Sequence, residues 1–443
     1  MDPAATRPVI AATRFGFAAR PGELAALAAD PQGAVLAQLA APPPPLDAAL
    51  PSAAEMITAT FTVQRDQRDP ADRKDYQQRV RAVYLAEVEA RVRAAAVSDA
   101  PLLERLTHFW SNHFTVSGMR PLVRSFAGAF EREAIRPHVT GRFVDMLLAV
   151  EHHPAMLLYL DNAVSIGPDS IAGRRRGKGL NENLGREMLE LHTLGVDGGY
   201  TQADVEALAR ILTGWSVARL NDPAPGTFRF YERLHEPGPK TLLGRRYEEA
   251  GEQEGIAALG DLAAHPATAR HIARQLARHF IADAPPPDAV ERIARVFRDS
   301  GGDLARVTAA VVREDAAWRT PFAKVRAPGD LVIAAARATG CVPPAPMLAN
   351  SLRILDQPPF FAPQPSGWPD DAASWASPEA VLRRAQWCEL FSRRIAEPPD
   401  PRVLVDATLG ELASADLVEA VRAAPSRRAG IALVLASPEF QRR

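Results

Sequence analysis

Three stretches of this chain place chemically capable side chains at regular spacing. In HFWSNHF (108–114), Leu102, Leu106, Phe109 and His113 recur at i, i+4, i+7 and i+11, so His113 closes an apolar helical stripe. A neutral imidazole there suits a general base or a metal ligand. The structural reading is a core histidine whose ring nitrogens bond to backbone. In NENLGREMLELHTLG (181–195), a helix puts Asn183, Glu187, Glu190 and Leu194 on one face, with Arg186 beside Glu190. Two carboxylates at i, i+3 can work as an acid/base pair or hold a cation. The competing reading is a solvated face of mixed charge. His113, Glu187 and Glu190 are expected to meet at one polar site as the catalytic set. If they held a metal, a His with two carboxylates would suit Zn²⁺, Mn²⁺ or Fe²⁺; Arg186 neutralising Glu190 is the metal-free outcome.

Two further segments supply candidate substrate contacts. Asp161 and Asn162 open LDNAVSIGPDSIAGRRRGKG (160–179), whose glycines and cations suit a mobile loop closing over an anion. With Asn183 and Arg186 they are expected to shape the site. Downstream of ILTGW, Trp215, His235 and Lys240 could line a pocket with an aromatic wall, and Trp368 and Trp375 in SGWPDDAASW a second one of a carbohydrate-binding kind; the competing reading for these aromatics is packing. HPATARHIARQLARHF (265–280) carries His265, His271 and His279 at i, i+6 and i+14. This spacing makes no single ligand set, so the helix reads as structural, with Ile272, Leu276 and Phe280 inward. No GxxxxGK[ST], no GxGxxG after a strand, no GxSxG, no HExxH and no paired ExxH is present. Nucleotide, serine-hydrolase, zincin and di-iron readings therefore have no motif behind them.

The elements that must position these residues are nearly all helical. Val80, Tyr84, Val88 and Val92 recur every four residues, and Thr201 with Asp204 forms a capping box before Val205, Leu208 and Leu212. Strand signals are confined to TFRFY (227–231) and KTLLG (240–244), which could pair across EPGP. The expected fold is mainly α: a large multi-helix orthogonal bundle with at most one small β-hairpin. Proline-rich stretches divide the chain into an N-terminal segment 1–55, a main helical body 56–340 and a C-terminal helical section 341–443. With 52 Lys+Arg against 53 Asp+Glu there is no basic field to recruit nucleic acid or a membrane surface. Two cysteines in no paired spacing offer neither a disulfide scaffold nor a zinc finger. No apolar run approaches the roughly 20 residues of a membrane span. The chain is expected to be soluble and cytoplasmic as it stands, or exported if a signal has been removed.

FWSNHFTVS, YLDNAVS, NENLGREMLELHTLGVDGGYTQADVEALARILTGW, HPATARHIARQLARHF and SGWPDD together resemble the bacterial family known as domain of unknown function 1800. The resemblance runs from RFGF near Arg14 to the final helices. It implies a predominantly helical protein and carries no activity or catalytic residue with it. Family members that look exported, encoded beside a family resembling sulfatases and alkaline phosphatases, imply a sulfatase-like partner and an envelope or polymer-processing role. The functional expectation is an enzyme using acid/base or metal-assisted chemistry on a polar substrate, glycan or anionic. Its alternative is a non-catalytic binding or assembly protein built around a structural polar network.

Overall fold

The four-residue recurrence of Val80, Tyr84, Val88 and Val92 becomes the inner face of a long helix, α1 (Pro70–Val97), with Val88 and Val92 fully buried. In this computed structural model residues 3–46, 49–65, 70–176 and 179–443 are described. Helix α2 (Pro101–His113) starts on a proline in its first turn, where the missing N–H costs nothing. It buries Leu102, Leu106, Phe109 and Trp110. Helix α3 (Gln202–Ile211) carries the expected capping box: Thr201 Oγ1 accepts from the Asp204 amide at 3.3 Å and Asp204 Oδ2 accepts from the Thr201 amide at 2.8 Å. Helix α4 (Pro266–Phe280) turns Ile272, Leu276 and Phe280 into the core, as the sequence suggests. Its N-cap is His265, whose Nδ1 accepts from the Ala267 amide. Three more helices matter below: α5 (Pro328–Thr339), α6 (Pro378–Arg393) and α7 (Arg427–Ala436).

The fold is mainly α, with two small antiparallel pairs among the described residues. The strand pairing differs from the expected one. TFRFY pairs backwards, as β2 (Phe228–Phe230), with β1 (Trp215–Val217), while β3 (Lys240–Leu242) turns directly onto β4 (Arg245–Tyr247). The tight turn between β3 and β4 places Leu243 and Gly244 at positive φ, and this local closure outcompetes the longer one across EPGP.

Two apolar cores result. One gathers residues from Ile10 to Trp318, including α2, α3 and α4. The other joins Phe17, Val88 and Val92 of the early chain to α5, α6 and α7. Buried arginines stitch the early segment between them. Arg105 Nε donates to the Gly16 carbonyl (2.6 Å), Arg326 to that of Phe17, and Arg337 Nε to that of Ala18 (3.0 Å). Backbone carbonyls buried outside secondary structure need such donors, and the fork of a guanidinium supplies several at once. No helix among the described residues is long and apolar enough to cross a membrane.

Candidate functional site

A cavity of about 430 Å³ opens at the seam of the two cores. Helix α2 contributes Arg105, His108, Asn112 and His113, and α4 contributes Gln275, Arg278 and His279. The SGWPDD loop adds Trp368, Asp370 and Asp371; Asp330 of α5, Arg443 and Arg91 are also among the polar lining residues. FWSNHF, QLARHF and SGWPDD all contribute, segments about 90 or more positions apart in sequence that only packing brings together.

The loop is held by Asn112. Its Nδ2–H donates to the Trp368 carbonyl (2.9 Å) and its Oδ1 accepts from the Trp368 amide (2.8 Å). Gly367 passes at φ +78°, where a Cβ would lie 2.4 Å from the Asn112 carbonyl oxygen, so only glycine fits this approach. The loop thereby delivers Asp370 to α4, where Asp370 Oδ2 accepts from His279 Nδ1 at 2.7 Å. Burial pushes the His279 imidazole down to about 4, against the opposing pull of Asp370, while Arg443 and Arg105 push the same way as burial. At neutral pH the ring is neutral with its proton on Nδ1. Nε2 is then a lone pair, buried and without a partner among the described residues.

The ionic surroundings are dense. Asp330 takes Arg105 Nη1 at 2.8 Å, with Arg443 Nε 3.3 Å away. Asp370 also lies 3.4 Å from Lys324 Nζ and 3.6 Å from Arg443 Nη2. Burial raises both carboxyls but is outweighed: Asp330 is held well below the usual range by Arg105 and Arg443, and Asp370 by His279 first, then Arg443 and Lys324. Arg105 is pulled down by burial to about 10 and stays charged at neutral pH.

Of the expected catalytic residues, the structure puts His113 in the cavity wall and leaves Glu187 and Glu190 outside it. His113 Nε2 donates to the His192 carbonyl (3.2 Å); burial first, then His271 and His192, push its imidazole well below the ordinary value. Among the described residues no hydrogen bond or ion pair joins it to either glutamate, and no group of three or more His, Cys, Asp or Glu is placed to hold a metal. The reason lies in the helix. Asn183–Glu187 is α-helical but Met188–His192 is a π turn, with Thr193 Oγ1 reaching the carbonyl five residues back. Faces drawn at 3.6 residues per turn therefore lose register after Glu187. Glu187 is half-buried, its carboxyl pushed up by burial and by Glu190 against His192 and Arg186; Glu190 lies by Tyr200. His192 itself is sealed against Glu151 (2.7 Å).

The expected substrate contacts are spread out. Arg186 bonds Glu182 Oε2 (3.0 Å) and Gln202 Oε1 (2.9 Å) instead of neutralising Glu190. Asn183 is exposed at a helix start. Asp161, at φ +62°, pairs with Arg120. Asn162 is interior, donating to the carbonyls of Leu212 (3.1 Å) and Trp215 (2.9 Å). Trp215 is fully buried, packed against Gly255 with no room for a methyl group. His235 lies in a sealed cluster, its Nδ1–H on the Thr213 carbonyl (2.8 Å) and its Nε2 3.1 Å from Glu254 and 3.3 Å from Lys240. The loop of 160–179 is anchored at Gly167 and Ala172 to the carbonyls of Leu234 and Arg233; Gly177 and Lys178 lie outside the described residues.

Sequence reasoning misses His279 because it takes His271 and His279 together with His265, which is only the helix N-cap. Dropping it leaves His271, Gln275, Arg278 and His279 at i, i+4, i+7 and i+8, one polar stripe beside the buried one. For Asp370 the sequence signal is Trp368, two residues before it in SGWPDD.

The sequence model of the family described as "Protein of unknown function (DUF1800)" matches residues 10–442. The chain belongs to the DUF1800 family. The match covers nearly the whole chain, so both cores and all of the cavity lining except Arg443 lie within the matched residues. No curated protein and no solved structure matches it.

Proposed function

We propose that the cavity is the active site of an enzyme performing acid/base chemistry on a polar substrate, with His279 as the proton-transfer group and Asp370 as its positioning residue. The observation that carries this reading is the unpartnered, buried Nε2 of a cavity-lining histidine whose Nδ1–H is held by a carboxylate at 2.7 Å. A base oriented by a third group is the recurring arrangement for activating a hydroxyl or a water. Asp370 fixes the tautomer and stabilises the imidazolium once Nε2 has taken the proton; His279 then returns it to the leaving group. His113, tied to the His192 carbonyl, serves as wall. Glu187 and Glu190, outside the cavity, have no part in the step.

The test is a panel of chromogenic esters, phosphomonoesters, sulfates and glycosides, run with the wild type, His279→Asn and Asp370→Asn. Turnover by the wild type that falls on the order of 10²–10⁴-fold in His279→Asn is the expected result. Turnover undiminished in that variant, or none across the panel, overturns the reading.

A structural role has one observation in its favour. Asp370 also meets Lys324 and Arg443, and so ties α4 to the second core. A pure network predicts that Asp370→Asn lowers stability and that the wild type turns over none of the panel.

A further inference from the structure

Five of the thirteen buried side-chain polar atoms without a hydrogen-bond partner among the described residues belong to the wall of this one cavity: Arg105 Nη2, His108 Nε2, Arg278 Nε, His279 Nε2 and Arg443 Nε, the last ion-paired with Asp330 Oδ2 at 3.3 Å. Three of them are guanidinium N–H groups, which can only donate. The Arg105 and Arg443 side chains are 1% and 2% exposed, so bulk solvent does not satisfy them. An unsatisfied buried donor costs about 1–3 kcal/mol, more when charged, and a fold that gathers several in one place has a use for them.

The carboxylates on the same wall are already committed. Asp330 Oδ2 takes Arg105 Nη1. Asp370 takes His279 and faces Lys324. Asp371 accepts from the Ser374 amide (2.9 Å) and from Arg278 Nη2 (3.3 Å). The guanidiniums, by contrast, retain donors after these pairings. Arg105 has spent Nε on the Gly16 carbonyl and Nη1 on Asp330; Arg443 has spent Nη1 on the His279 carbonyl (2.9 Å). Their shared neighbour, Asp330 Oδ2, keeps the two forks adjacent.

We infer that Arg105, Arg443 and Arg278 form an oxyanion subsite that holds a phosphate-like group carried by the substrate, beside the His279–Asp370 pair. The inference rests on the acid/base reading of the cavity and names the substrate class for it. Guanidinium forks match tetrahedral oxyanions geometrically, and a charge bound against the buried Arg105 and Arg443 is recognised strongly. At about 430 Å³ the cavity has room for more than a bare ion, which favours an oxyanion attached to an organic group.

Calorimetric titration of the full chain with inorganic phosphate and with phenyl phosphate tests this, using wild type, Arg443→Gln, Arg105→Gln and Arg278→Gln. Arg278 is 41% exposed, so its variant folds even if a buried-arginine variant does not. Phenyl phosphate is expected to bind more tightly than phosphate and to lose at least about tenfold in affinity in each folded variant. Binding of neither probe at about 10 mM, or binding unchanged by the substitutions, overturns the subsite. Tighter binding of inorganic phosphate overturns the substrate handle in favour of a free-ion site. His279→Asn separates the two readings. If the wild type and His279→Asn bind phenyl phosphate alike while the wild type turns nothing over, the subsite stands and the acid/base reading falls. If uncharged substrates are turned over through His279 and neither phosphate binds, the reverse holds.

Discussion

Replacing Asn112 with alanine should release the loop that carries Asp370 while leaving most of the protein intact. The carboxamide makes two hydrogen bonds to one residue, at 2.9 Å to the Trp368 carbonyl and 2.8 Å from its amide. Neutral hydrogen bonds contribute roughly 0.5–1.5 kcal/mol each, so the pair contributes about 2 kcal/mol to keeping the loop closed. At about 1.4 kcal/mol per tenfold, the local opening constant rises about 30-fold. Global melting is a poor readout: at ~2 cal/mol/K per residue over 443 residues, about 2 kcal/mol moves the midpoint by only about 2 °C. Amide exchange at Trp368 is the sensitive one, and its protection should fall about 30-fold. Gly367→Ala should open the same loop by another route, because its Cβ would meet the Asn112 carbonyl oxygen at 2.4 Å. The double variant should then show less than the sum of the two. Trp368 exchange unchanged within twofold in Asn112→Ala would mean that other contacts hold the loop, and the positioning argument for Asp370 would fail.

Between pH 6.5 and 4 stability should decline as pH falls. His279 and His152 are both pushed down to about 4, so the unfolded chain takes up protons that the folded chain refuses; the contribution is complete above pH 6.5, is lost towards 4 and then levels off. His279 alone accounts for about 3 kcal/mol of this, and urea unfolding at several pH values should show a shallower slope in His279→Asn. At pH 7 long-range ¹⁵N correlation should find His279 protonated on Nδ1 and bare on Nε2, with Asp370→Ala releasing the tautomer; a bare Nδ1 in the wild type refutes the assignment. Lys240→Met strands the fully buried Glu254 carboxylate and should cost about 3–5 kcal/mol in denaturant unfolding; near-neutral stability would show that Lys240 is dispensable there. Gly255→Ala drives a methyl group to 2.3 Å from the Trp215 ring and should cost about 1–3 kcal/mol, read by the same unfolding; an unchanged midpoint would mean the ring has room to move.

Local physics was legible in the residues themselves. The stripes of α1 and α4, the capping box at Thr201 and the helical class follow from periodicities of three to four residues, which a chain carries without reference to its fold. The family was legible as well, since its motifs are linear. His113 was correctly placed at the end of a buried stripe, and the structure puts it in the cavity wall. Tertiary structure decided its company. A π turn after Glu187 takes Glu190 out of register with it, and a backbone hydrogen-bonding choice of that kind leaves no periodic trace in side-chain type. Trp215, Asn162 and His235 read as binding residues because polar and aromatic side chains look alike whether they face a ligand or each other; burial and partners separate the two, and both are set by distant chain. The pairing of His279 with Asp370 spans 91 positions and depends on Gly367 letting the loop touch Asn112. Contacts of that separation arise when two cores pack against each other, so only the folded chain places them.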